Sequence, residues 1–204
     1  MNVVVIDYGM GNLGSVRRAL EECGARVMVS DHPEDLRTAS HIILPGVGAF
    51  TDGMANLNSQ NWAAEINRAV VEGSVPMLGI CLGMQLLAEV GFEGGRTAGL
   101  GLIPGVVDLL KVENAAERVP HVGWNEIILK GKPNLFDQIA NHTDFYFVHS
   151  YHFQPTDSSH ITTTTPYCGG FTSSVQNGNV YGVQFHPEKS QRAGFQLLKN
   201  FLKL

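Results

Sequence analysis

Val75-Pro76-Met77-Leu78-Gly79-Ile80-Cys81-Leu82-Gly83-Met84-Gln85-Leu86-Leu87 is the stretch that decides the fold. Val75 to Ile80 is mostly apolar without alternation, the pattern of a strand buried on both faces. Met84, Leu87 and Ala88 then recur at helical spacing, so a helix is expected from about Leu82. Between strand and helix stands Cys81, with Gly79 and Gly83 two residues away on either side. This is the spacing of a nucleophile elbow, with cysteine in place of serine. The small flanks allow a sharp, strained turn that presents the sulfur, and a helix N-terminus behind it favours a thiolate. A buried structural cysteine in a glycine-rich turn would read the same way over these five residues alone.

A partner for the thiol is found about a hundred residues on, in Val180 to Ser190. An apolar strand, Val180 to Phe185, ends on His186; Pro187 stops the ladder and Glu188 follows. A nucleophilic cysteine needs a base, and the base needs a third group to hold its tautomer. His186 and Glu188 fit those roles. His149, in Phe147-Val148-His149-Ser150-Tyr151, is the competing base, and ranks second because no carboxylate follows it two residues on.

Gly79-Ile80-Cys81-Leu82-Gly83 and Phe185-His186-Pro187-Glu188 together resemble the class I (triad) glutamine amidotransferases. Three further stretches narrow the resemblance: Asp7-Tyr8-Gly9-Met10-Gly11-Asn12-Leu13, Pro45-Gly46-Val47-Gly48-Ala49-Phe50 and Pro120-His121-Val122-Gly123-Trp124-Asn125. With these five ordered motifs, essentially the whole chain is similar to the glutaminase subunits of imidazole glycerol phosphate synthases. The resemblance implies a flavodoxin-like three-layer α/β sandwich, with a mostly parallel central sheet and an additional antiparallel layer. It implies a Cys81–His186–Glu188 triad acting on L-glutamine. The oxyanion hole would be formed by the N–H of Leu82 and one from the Gly46–Gly48 loop, at Val47 or Gly48. Gln85, Gly48, Ser150 and Tyr151 would hold the substrate. Asn12, Trp124, Asn125 and Lys189 would face a (β/α)8-barrel synthase subunit in a heterodimer. No cofactor and no metal are implied. Gly14 departs from the basic residue often found before Ser-Val in the first helix of this family, which bears on partner contacts and not on the chemistry.

Composition agrees with that class. The chain has 204 residues, a hydrophobic content of 44% and a charged content of 16%, enough for one domain with a sizeable core. No linker splits it, so one domain over residues 1–204 is expected. A net charge of −5 leaves no nucleic-acid footprint. No apolar run has membrane-spanning length and no signal-peptide pattern opens the chain. Three widely spaced cysteines, Cys23, Cys81 and Cys168, suit a reducing compartment and a cytoplasmic location. No Cys/His cluster has zinc spacing. Gly9-x-Gly11-x-x-Gly14, with Asp31 downstream, is a weak match to a dinucleotide-binding turn.

Along the chain, strands are expected at Asn2–Ile6, Arg26–Val29 and His41–Leu44. Helices are expected at Leu13–Cys23, from Asp31, over Met54–Glu72 as one helix or two, and at Ser190–Leu202. After Val90, extended segments at Val106–Val112, Trp124–Leu129, Phe145–Val148, Ile161–Thr165, Thr172–Gln176 and Val180–Phe185 look like antiparallel strands laid over one side of the sheet. Other functions remain open to such a chain: an amidotransferase subunit serving another synthase, a catalytically silent regulatory subunit, or a free-standing cysteine hydrolase. The intact Cys81, His186 and Glu188 weigh against the second, and the five motifs against the third.

Overall fold

The computed structural model of the protein describes residues 2–204. Among the described residues fourteen strands are formed: β1 (Asn2–Ile6), β2 (Arg26–Ser30), β3 (His41–Gly46), β4 (Met77–Cys81), β5 (Val90–Gly91), β6 (Thr97–Ala98), β7 (Gly105–Leu109), β8 (His121–Glu126), β9 (Ile128–Leu129), β10 (Asp144–His149), β11 (Tyr151–Pro155), β12 (Ile161–Thr165), β13 (Phe171–Asn177) and β14 (Val180–Val183). The α-helices are α1 (Leu13–Glu22), α2 (Phe50–Ser59), α3 (Trp62–Asn67), α4 (Leu82–Leu86) and α5 (Gln191–Phe201). The main sheet has eight strands in the order β2-β1-β3-β4-β14-β13-β12-β9. Its first five strands are parallel, and β13, β12 and β9 continue it antiparallel.

Unbroken apolar runs make the parallel half, because helices cover both of its faces. Alternate residues divide between two cores: Val3 and Val5 of β1 enter the one closed by α1 and α5, and Val4 and Ile6 enter the one closed by α2, α3 and α4. The amphipathic patterns behave as the sequence predicts, with Val16, Ala19 and Leu20 buried on α1 and Leu198 and Phe201 buried on α5.

Several elements differ from expectation. The helical stretch expected from Met54 starts earlier, at Phe50; it is two helices, α2 and α3, divided at Asn61, whose φ of +62° is left-handed. The third strand does not stop at Leu44; it runs through Pro45 and Gly46, pairing Gly46 with Cys81. The segment from Asp31 onward is a 3₁₀ helix, Pro33–Thr38.

The larger correction concerns the second half of the chain. Only β8 with β10, and β5, β6 and β7 with β11, form separate small sheets. The strand at Val180–Val183 is instead interior to the main sheet, parallel to β4, with Gly182 opposite Gly79 and Val183 opposite Ile80. Tyr181 and Val183 point into one core and Val180 into the other, and a strand buried on both faces belongs inside a sheet. Cys81 and His186 therefore lie beyond the same edge of neighbouring strands, the edge at which open α/β sheets bind ligands.

The turn between β4 and α4 permits backbone approaches that only glycine allows. A Cβ on Gly83 would stand 1.8 Å from the carbonyl oxygen of Leu44, and one on Gly79 would stand 2.6 Å from that of Gly83. Neither obstacle is a flexible side chain, so relief requires separating β3, β4 and α4. Gly83→Ala is expected to lose about 3 kcal/mol or more of stability, at or beyond the upper end for an overpacked core. Urea denaturation of the variant beside wild type measures this; a loss under 1 kcal/mol would show that the elbow can relax.

Candidate active site

Cys81 ends β4 and begins α4. Its φ of +54° and ψ of −111° lie where a side chain is strained, as the elbow spacing predicts. The helix behind it has only five residues, so the dipole expected to favour a thiolate is that of little more than one turn. The N–H of Leu82, in that first turn, has no intrahelical acceptor, and Leu82 lines the cleft beside Cys81. The sulfur lies 3.8 Å from the carbonyl oxygen of Val148 and 3.7 Å from Nε2 of Gln184.

His186 follows the bend after β14 and opens a 3₁₀ turn, Pro187–Lys189. That turn is fixed to β10. The His186 N–H donates to the Tyr146 carbonyl at 2.9 Å. The Ser190 hydroxyl donates to the His186 carbonyl at 2.6 Å and accepts from the Tyr146 N–H at 3.0 Å. The ring's Nδ1 is 2.8 Å from Oε1 of Glu188, and the two side chains are 3% and 2% exposed. Nε2 is buried and makes no hydrogen bond of ordinary geometry, and the Cys81 sulfur is the group that acts on it. Burial disfavours the charged ring, but Cys81 and Glu188 outweigh burial and raise His186 to about 9. The resting pair is thus arranged for imidazolium beside sulfur.

A cleft of about 230 Å³ opens on the sulfur, lined among others by Val47, Gly48, Leu82, Gln85, Ser150 and Tyr151. The expected substrate-binding residues are thereby brought to one place. Gly48 has a φ of +115°, with the Met10 methyl where a side chain would go. Gln85 is more constrained than a free substrate contact. Its Nε2 donates to the Tyr151 carbonyl at 2.9 Å and to Oε1 of Gln184 at 3.0 Å, which uses both of its hydrogens. Only its Oε1, an acceptor, is left for a ligand.

His149 also borders the cleft but is already engaged. Its Nδ1 is 2.9 Å from the Tyr151 carbonyl and its Nε2 is 3.1 Å from Nδ1 of His121. Burial lowers it to about 3, and His121 to about 4. A neutral ring with both nitrogens occupied is no base for Cys81, in keeping with its second rank.

Glu93 and Gln184 are site residues that the sequence reading missed. Glu93 lines the cleft and its Oε2 accepts from the Phe50 N–H at 2.7 Å, capping α2. It lies in a glycine-punctuated stretch with no periodicity to mark it. Gln184 stands two residues before His186, where a strand pattern gives no hint of which way its amide points. Of the expected interface residues, Trp124 is 48% exposed and edge-on to Tyr146, and the Lys189 ammonium lies 5.8 Å from the centre of that ring. Asn125 is half-buried, and Asn12 caps α1 by accepting from the Ser15 N–H at 3.4 Å. A larger cavity of about 560 Å³ lies elsewhere, along Leu129–Ile139 and the end of α5, and holds no nucleophile beside a base.

A strained cysteine beside a buried His–Glu pair, on the edge of a parallel sheet where such folds bind ligands, is the arrangement of a cysteine-nucleophile hydrolase or transferase. The family model for class-I glutamine amidotransferases matches residues 4–204, and the chain belongs to that family. It is 51% identical to the imidazole glycerol phosphate synthase subunit HisH of Moorella thermoacetica, over 99% of this chain and 94% of that one. It is 46% identical to the HisH subunit of Aquifex aeolicus, over 98% of this chain and 96% of that one. The fold matches PurLQS from Thermotoga maritima with a TM-score of 0.75 at 20% identity, over 99% of this chain and 97% of that one. No helix among the described residues is long and apolar enough to cross a membrane.

The raised pKa of His186 links to stability with a definite sign. A ring at about 9 in the fold and near 6.5 when unfolded stabilises the fold fully below pH 6.5. That contribution is lost as pH rises through 9. Cys81→Ala removes one of the two groups that raise it, so the decline in unfolding free energy between pH 6.5 and 9 becomes shallower in the variant. Denaturant titrations at pH 6, 7.5 and 9 compare the two slopes, and parallel curves would refute the pairing.

Proposed function

We propose that the chain is the glutaminase subunit of an imidazole glycerol phosphate synthase, working in histidine biosynthesis. It would hydrolyse L-glutamine to glutamate and ammonia through Cys81, His186 and Glu188. The observation that carries the chemistry is the strained Cys81 beside a histidine raised by that cysteine and by a buried glutamate.

The Cys81 sulfur attacks the side-chain carbonyl carbon of glutamine. The oxygen takes up the negative charge and is held by the N–H of Leu82 and one from Val47 or Gly48. His186, already protonated, gives its Nε2 proton to the departing nitrogen; the C–N bond breaks and ammonia leaves a thioester. The ring, now neutral, takes a proton from water as the hydroxide attacks that thioester, and glutamate and the thiolate are released. Glu188 holds the proton on Nδ1 throughout.

A cleft of about 230 Å³ suits one small metabolite better than a peptide. Its polar lining suits an amino acid. Glu93 supplies a carboxylate for the α-ammonium group and Gln85 an acceptor oxygen. Ser150 and Tyr151 line the same cleft.

Ammonia released into water would be protonated and lost as a nucleophile, so the enzyme needs an acceptor at hand. The HisH kinship supports a (β/α)8-barrel cyclase subunit as partner, with glutamine as substrate. Trp124 and Val122, at 48% and 57% exposed on β8, with Lys189 near them over Tyr146, offer an aromatic and cationic face for it. The same kinship favours a cytoplasmic site of action.

Cys81→Ala is expected to abolish glutamine-dependent synthesis by the complex while synthesis from ammonium salts persists. Glutamate release within about tenfold of wild type would remove Cys81 from the nucleophile's role. His186→Ala should cost more in kcat than Glu188→Gln, by about tenfold or more, because the histidine moves the proton and the glutamate orients it. The reverse order would reassign the base.

A further inference from the structure

The mechanism leaves one fully buried polar side chain beside the nucleophile without a task. Gln184 has no exposed surface. Its backbone N–H is held by the Ser173 carbonyl at 2.9 Å. Its amide stands between Cys81 and Gln85, and the surrounding hydrogen bonds settle which way it faces.

The order can be followed inward from β8. The Tyr151 carbonyl can only accept, so Nδ1 of His149, 2.9 Å away, carries a proton. Nε2 of that neutral ring is then an acceptor, and Nδ1 of His121, 3.1 Å away, is the donor. Nε2 of His121 in turn accepts from the Asn125 amide at 3.3 Å. Gln85 directs its amide hydrogens to the Tyr151 carbonyl and to Oε1 of Gln184. With Oε1 so occupied, Gln184 is left with its NH₂ toward Cys81, and Nε2 is 3.7 Å from the sulfur.

We propose that Gln184 is a positioning residue for the reaction: its amide N–H donates to the Cys81 sulfur and holds the thiolate in line for attack, while its carbonyl fixes Gln85 on the substrate wall. A donor aimed at sulfur stabilises thiolate over thiol, because only the anion accepts strongly. The sulfur's other polar contact, the Val148 carbonyl at 3.8 Å, can accept from a thiol but repels an anion. Gln184 therefore supplies the donor that the ionised form needs in addition to His186. The Tyr151 carbonyl, which can only accept, fixes the Gln85 amide and through it keeps the Gln184 amide from flipping; the His149 and His121 rings nearby are neutral and add no competing charge.

This inference rests on the glutaminase reading only for its consequence in turnover; the geometry at sulfur can be tested without glutamine. Gln184→Met removes the donor without adding charge, and Gln184→Glu keeps the shape and the acceptor toward Gln85 while putting a carboxyl, a like charge when ionised, where the donor stood. Carboxamidomethylation of Cys81 by iodoacetamide, followed against pH, reads the thiolate directly. The profile is expected to move up by about one pH unit or more in both variants, the equivalent of one charge-assisted hydrogen bond. Glutaminase kcat in the assembled complex should fall about tenfold or more in Gln184→Glu, with KM within about threefold of wild type. An unshifted alkylation profile overturns the proposal, even if turnover falls, because a merely structural glutamine would act through packing. A shifted profile in a protein with no activity toward glutamine would leave the proposal standing and overturn the glutaminase reading.

If neither variant folds, the wild type still decides. The side-chain amide resonances of Gln184, assigned by through-bond correlation, should move when Cys81 is alkylated. No movement overturns the contact.

Discussion

The structure depends on how closely three backbone segments approach at the end of β4. Gly83 lies against the Leu44 carbonyl, Gly79 against Gly83, and Gly46 beneath the Tyr8 hydroxyl, each at a distance that excludes a methyl group. With β3, β4 and α4 so close, the residue joining strand to helix is forced into a tight left-handed turn. That residue is Cys81. The strain is sustained by the two buried cores on either face, which hold the crossing shut. The sulfur's position is thus set by exclusion of volume.

Parallel pairing does the second part of the work. Because β14 lies beside β4 in the same direction, the two chains leave the sheet at one edge, and the bend after Val183 carries His186 to the sulfur. Ser190 and the Tyr146 backbone then fix that bend to β10. A histidine delivered from an antiparallel strand at the same place would have started at the other edge. The topology therefore unites residues about a hundred positions apart without any long ordered loop.

The legible part of this protein was the part with strong local rules. The elbow glycines and the amphipathic faces of α1 and α5 are where spacing alone predicts conformation, whereas the strand expected to run to Phe185 ends at Val183 and a bend carries the chain to His186. The placement of β14 was not legible, since a short apolar segment reads alike at a sheet's centre and in a covering layer. That the stretch could hold two helices was legible, but the position of the break at Asn61 was not, because helical periodicity continues across it. Gln184 and Glu93 were missed for a different reason. Their part in the site comes from which atom of an amide or carboxylate faces which neighbour, and composition holds no record of orientation. Gln85 was recognised through resemblance, yet its commitment to Tyr151 and Gln184 emerges only in three dimensions.

Three histidines lie buried within this region, and they are driven in opposite directions. His186 is raised to about 9, while His149 and His121 are lowered to about 3 and about 4. Burial pushes all three down; only His186 has a carboxylate and a sulfur to reverse it. The contrast has a chemical consequence. A second imidazolium at His149, on the cleft wall, would be an alternative counter-ion for the thiolate and would draw it away from His186. Keeping His149 neutral, with one nitrogen on a carbonyl and the other on His121, leaves His186 as the one charged ring beside the sulfur among the described residues. On the proposed mechanism, the specificity of proton delivery would rest as much on the silence of the neighbouring rings as on the activation of one.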